Sequence, residues 1–90
     1  MSNVEIIKLN DKELEDLGID SWNKWGMDPS SFDWEYDSDE TAYLFKGKVK
    51  VTTEDGQEVE FGAGDLVKFP AGLKCRWHIL ERVEKVYKLE

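Results

Sequence analysis

Histidine and cysteine, the side chains that most often build transition-metal and nucleophilic sites, occur once each in this 90-residue chain, as His78 and Cys75. A single cysteine excludes an intrachain disulfide framework. Positive charge is also scarce: 12 Lys and Arg stand against 20 Asp and Glu, a formal net charge of −8. That balance argues against nucleic acid, whose phosphates need clustered Lys and Arg. It argues equally against an anionic membrane surface. Long apolar runs are missing too. The opening "MSNVEIIKLNDKELEDLG" has no basic leader region, so neither a signal peptide nor a transmembrane span is expected. The default expectation is a soluble cytoplasmic protein.

What is present is globular. Hydrophobic residues make up 40% of the chain and four are Trp. Large rings fill a small core or line a pocket efficiently. Ninety residues make a single domain, with a first strand and short helix over about 1–20 and a barrel over about 21–90. "VEIIKL" reads as a strand. "NDKELEDLG" reads as a helix, capped by Asn10 or Asp11, with Glu13 placed for a capping box and Gly18 as its stop. "IDSWNKWGMDPSS" reads as an extended segment and a loop. From Phe32 onward the pattern is β. Phe32, Trp34 and Tyr36 alternate with Asp33, Glu35 and Asp37. Gly47 marks a bend in "ETAYLFKGKVKVTT", and Asp55-Gly56 marks a hairpin. "QEVEF", "LVKF", "KCRWHIL" and "EKVYKL" complete a set of short strands with closely spaced turns. An all-β barrel or sandwich is expected. The acidic run Asp33, Glu35, Asp37, Asp39 and Glu40 reads as mainly a solvated strand face.

Cys75 and His78 stand three apart in "KCRWHIL". On a strand, side chains alternate sides, so Cys75, Trp77 and Ile79 share one face while Arg76 and His78 share the other. A Cys–His dyad or metal pair needs the two to converge. The geometry predicts instead a buried, inert thiol and an ordinary surface histidine.

The same stretch carries a longer pattern. Gly64, Pro70 and Gly72 match the frame G-x5-P-x-G-x2-H-x3-N of the second cupin motif, with Cys75 at the histidine and Ile79 at the asparagine. "WEYDSDETAYLFKG" matches H-x-H-x3-E-x6-G of the first, with Trp34 and Tyr36 at the histidines, then Glu40 and Gly47. Together with "SWNKW" and "GAGDLVKFPAGLKCRWHILERVEKVY", the chain resembles the small single-domain cupins grouped with the ureidoglycine aminohydrolase cupin domain, over about Ser21 to Leu89. Glu84 and Val86 depart from the Arg and His often found near that family's end. The resemblance implies a jelly-roll barrel with a pocket in its mouth, and a tendency to form homodimers.

Cupin metals usually sit on three His and one Glu, and of these only Glu40 remains. Trp34 offers a donor only. Tyr36 and Cys75 would first have to lose a proton, which an apolar pocket resists. No cofactor is therefore expected, the alternative being a divalent transition metal at Glu40 and Cys75. Trp34, Tyr36, Glu40, Cys75 and Trp77 are the expected pocket residues, with Lys85, Tyr87 or Arg76 as partner to the acid. The rings would otherwise simply fill the barrel. Three functions follow. The first is a metal-free protein binding a small organic molecule in an aromatic pocket, its catalytic activity open. The second is a metal-dependent aminohydrolase-like enzyme on a small ureido or amide compound, a substrate class the resemblance alone implies. The third is a dimeric interaction module without pocket chemistry.

Overall fold

The computed structural model describes residues 4–89. They form an all-β fold with one short helix, as the alternation of apolar and polar residues predicts. The strands are β1 (Glu5–Lys8), β2 (Asn23–Met27), β3 (Ser30–Glu35), β4 (Glu40–Thr53), β5 (Glu58–Gly62), β6 (Asp65–Phe69) and β7 (Lys74–Leu89). All pairings are antiparallel within one seven-stranded sheet.

Two long strands organise the rest. β4 and β7 run side by side along most of their length. The first part of β4 pairs with β6 and its second part with β5. The last part of β7 pairs with β2 and its first part with β3. The segments "KCRWHIL" and "EKVYKL" are thus one continuous strand. The stretch read as an extended segment and a loop contains a 3-10 turn (Ile19–Ser21) and strand β2. Its alternating Trp25 and Met27, both half-buried, were the available strand signal. The N-terminal strand is not separate from the barrel, because β1 pairs with β6.

The helix α1 (Asp11–Leu17) starts on a complete capping box. The Asn10 side chain accepts from the Glu13 backbone N–H at 2.8 Å, and Glu13 accepts from the Asn10 N–H at 3.2 Å. These bonds satisfy donors that a helix start leaves open. Gly18 ends it in the left-handed region. The helix and the 3-10 turn cover one face of the sheet, where Ile19, Trp22, Leu66 and Val86 are buried with Leu14 and Tyr43 packed against them. The opposite face carries the main core, which includes Leu44, Val49, Val51, Phe61, Phe69, Trp77 and Val83.

Gly47 decides which β4 residues reach that core. After it, odd positions Val49 and Val51 face the core; before it, the even position Leu44 does. Odd Tyr43 joins the other cluster. Strict alternation cannot produce that switch; a β-bulge can. The register of β4 against β7 shifts between Leu44 and Val49. Gly47 sits at φ 107°, with the Arg82 carbonyl and Val83 backbone so close that an added Cβ would lie 2.4 Å from the Arg82 oxygen. The bulge therefore aims Glu40, an even position at the start of β4, at the same side as Val49 and Val51.

Candidate functional site

A cavity of about 330 Å3 opens at this end of the main core. β2 supplies Trp25 and Met27, β3 supplies Phe32 and Trp34, and the following turn supplies Tyr36, Asp37 and Ser38. β4 contributes Glu40, and β7 contributes Trp77, Lys85 and Tyr87. The walls are mostly rings. Phe32 stacks on Trp77 at 6.0 Å between centroids, and Trp25 meets Trp77 edge-on at 6.1 Å. Tyr36 stacks on Phe69 at 4.7 Å.

Glu40 and Lys85 form the polar floor. Both are buried, and Lys85 Nζ donates to Glu40 Oε2 at 3.1 Å. The ammonium also lies 4.9 Å from the centroid of Trp25, 4.8 Å from Trp77 and 5.4 Å from Tyr87. The negative faces of those rings attract a cation. Burial nevertheless pulls the Lys85 ammonium below the ordinary lysine range, opposed by the charge and hydrogen bond of Glu40. Beside the pair, Trp77 Nε1 donates to the Tyr36 hydroxyl at 3.2 Å. That bond uses the oxygen as acceptor and leaves its proton able to donate. Burial, then the neighbouring Glu40 charge, raises the Tyr36 phenol far out of its usual range, so it stays neutral.

The sequence-derived pocket residues separate. Tyr36, Glu40 and Trp77 line the cavity together. Trp34 also lines it, but at the rim: it is 51% exposed and edge-on to Phe32 and Tyr36. Strand β3 is at the margin of the sheet here, so its rings are only partly covered. Cys75 is not among the residues lining this cavity. It borders a neighbouring open groove with Trp34, Asp33, Thr52, Lys74, Arg76 and His78. Glu35 and Asp37, read as part of a solvated face, are exposed and also contribute to the cavity mouth. Of the three partners considered for Glu40, Lys85 is the one bonded to it. Arg76 pairs with Asp33 instead, at 2.9 Å. Trp25, Met27 and Phe32 are lining residues that sequence reasoning did not single out.

Cys75 and His78 point to opposite faces. Cys75 is buried, while His78 Nδ1 lies 3.0 Å from the Ser31 hydroxyl on the outer side. Burial pushes the Cys75 thiol up to about 11 from 9.0. Since the thiolate is the nucleophile, ionisation alone slows the thiol about a hundredfold at neutral pH. Labelling with Ellman's reagent at pH 7 is expected to run at least about a hundredfold slower in the folded protein than in urea. Similar rates in both would contradict the assigned burial.

The residues do not fit a cupin-type metal. Glu40 is engaged by an ammonium, Tyr36 and Cys75 hold their protons, and Trp34 has no lone pair to give. Among the described residues no three His, Cys, Asp or Glu converge on a common point. Nor is any helix among them long and apolar enough to cross a membrane.

Residues 14–87 match the EutQ-like cupin domain family. No curated protein matches the chain. Among solved structures, a DUF861 family protein from Thermotoga maritima is 48% identical, with a TM-score of 0.96 over 98% of this chain and 100% of its own. A DUF861 protein of unknown function from Pseudomonas syringae is 26% identical over 71% of this chain and 28% of its own, TM-score 0.65. The EutQ protein of Clostridium difficile shares 22% identity over 96% of this chain and 66% of its own, TM-score 0.67, a likeness of fold. The all-β fold is thus that of a cupin, and the chain belongs to the EutQ-like cupin domain family.

Proposed function

We propose that this protein binds a small organic molecule in the aromatic cavity without a metal ion. The observation that carries the reading is a ring-walled space with a buried Glu40–Lys85 pair on its floor. Apolar walls with a few fixed polar groups are how proteins hold small molecules in a defined orientation. The floor offers the free oxygen of Glu40 as an acceptor and the hydroxyl of Tyr36 as a donor. Glu35 and Asp37 at the mouth disfavour anionic ligands, so the occupant is neutral or cationic. Every one of these residues comes from one chain, and the reading needs no partner subunit, dimer or otherwise.

A panel of neutral aromatic and aliphatic compounds tests it. At least one is expected to raise the melting temperature by several degrees and to quench Trp fluorescence, as a ligand selective for the folded state must. A Met27→Trp variant, which fills the cavity from its half-exposed wall, is expected to fold and lose both responses. No response across the panel, or an unchanged response in Met27→Trp, would overturn the reading. The aminohydrolase-like alternative makes the opposite prediction for metal. Stoichiometric transition metal in protein purified without chelator, lost in Glu40→Ala, would replace the present reading with that one.

A further inference from the structure

Lys85 is a puzzle if the cavity only binds. It is the one lysine or arginine lining the cavity among the described residues, it is 7% exposed, and it sits among three rings. A buried ion pair of this kind is a weak source of stability, since desolvation offsets most of its attraction. A buried lysine beside open space is instead the arrangement in which an amine becomes a nucleophile.

We propose that Lys85 reacts with small neutral aldehydes admitted to the cavity, forming a reversible imine at Nζ. The inference rests on the small-molecule reading of the same cavity. The chemistry balances with the groups present. Glu40, bonded to Nζ at 3.1 Å, takes one proton from the ammonium and leaves a free amine. Burial already disfavours the charged form of Lys85. The amine lone pair attacks the carbonyl carbon, so the N–C bond forms as the C–O π bond breaks. Glu40 returns its proton to the carbonyl oxygen, and a second proton passes from nitrogen to oxygen by way of Glu40. The C–O bond then breaks and water leaves. The product iminium keeps the single positive charge that the ammonium began with, and nothing is oxidised or reduced. That charge stays beside the Glu40 carboxylate and over the Trp25 and Trp77 rings, which stabilise a flat cation as they did the ammonium. The acidic residues Glu35 and Asp37 at the mouth select against aldehydes that carry a carboxylate.

Benzaldehyde with sodium cyanoborohydride at neutral pH is the probe, because hydride reduction converts the imine into a stable benzylamine. Peptide mass spectrometry is expected to find Lys85 modified at least tenfold faster than the exposed Lys46 and Lys48. Benzyl alcohol, which cannot form an imine, is expected to slow that modification and to quench Trp fluorescence. Glyoxylate, an anionic aldehyde, is expected to modify Lys85 more slowly than benzaldehyde does. A Lys85→Arg variant is expected to lose the fast modification, while the slow modification of Lys46 and Lys48 stays unchanged. Lys85 modified no faster than the exposed lysines, with benzyl alcohol still quenching, overturns the imine and leaves the pocket standing. Absence of quenching by benzyl alcohol and by every compound of the panel overturns the pocket, and the imine with it.

Discussion

Replacing Gly47 with alanine is expected to lower the melting temperature by at least about 10 °C, at about 4–8 °C per kcal/mol for a domain of this size. Two costs add. The backbone at φ 107° is a region L side chains rarely adopt, a strain of about 1–3 kcal/mol. The added Cβ would also meet the Arg82 carbonyl oxygen at 2.4 Å and the Val83 Cα at 2.8 Å. Overpacking against backbone, which cannot swing aside, costs roughly another 1–3 kcal/mol. Gly56→Ala separates the two. Gly56 has φ 88° with nothing within 4 Å of its added Cβ, so it carries the strain without the collision. Thermal melts giving equal losses for the two variants would show that the β4–β7 approach is not as tight as described. A distorted bulge would also turn Glu40 away from the cavity, so Gly47→Ala is expected to lose ligand binding even where it still folds.

Glu40→Ala is expected to cost about 3–5 kcal/mol at neutral pH, the usual result of leaving a buried charge without its partner. The double variant Glu40→Leu with Lys85→Met is expected to recover most of that loss, because it removes both charges and restores apolar packing. A double variant as unstable as the single one would mean that the pair itself, not the orphaned charge, sets the stability. The pH dependence has a definite sign. Lys85 already titrates below its ordinary value of 10.5 in the folded protein, and loss of Glu40 removes both influences that hold it up. Between the depressed folded value and 10.5 the unfolded chain binds more protons than the folded one, so stability rises with pH. The deficit of Glu40→Ala relative to wild type should therefore shrink from pH 7 toward pH 10. Urea melts across that range measure it, and a deficit constant with pH would contradict the placement of Lys85.

Much of the strand layout was legible because the chain alternates cleanly where strands lie. Cys75, Trp77 and Ile79 against Arg76 and His78 placed one face inward from period alone, and all three inward residues are buried. The capping box at Asn10 and the turns at Gly18 and Gly56 were legible for a similar reason, since their chemistry is local. The segment around Trp25 was harder. Its only local signal was the short alternation of Trp25 and Met27, and the strand is completed by β7, a partner some sixty residues later. Trp34 lines the cavity but stays half exposed. Its alternation with Tyr36 is regular, but how far a ring is covered depends on what stands beyond the strand, and here little does.

By itself the sequence determined an all-β fold on a cupin frame, a buried Cys75 and an outward His78. These follow from side-chain chemistry and from strand period, both of which are properties of neighbouring residues. Only the tertiary structure decided that Glu40 meets Lys85, that rings from β2, β3 and β7 close around them, and that Cys75 borders a different groove. Those contacts depend on a register shift at Gly47 and on the pairing of strands far apart in the chain. A single bulge reverses every side chain beyond it, so the site's composition could be read from the sequence but its geometry could not.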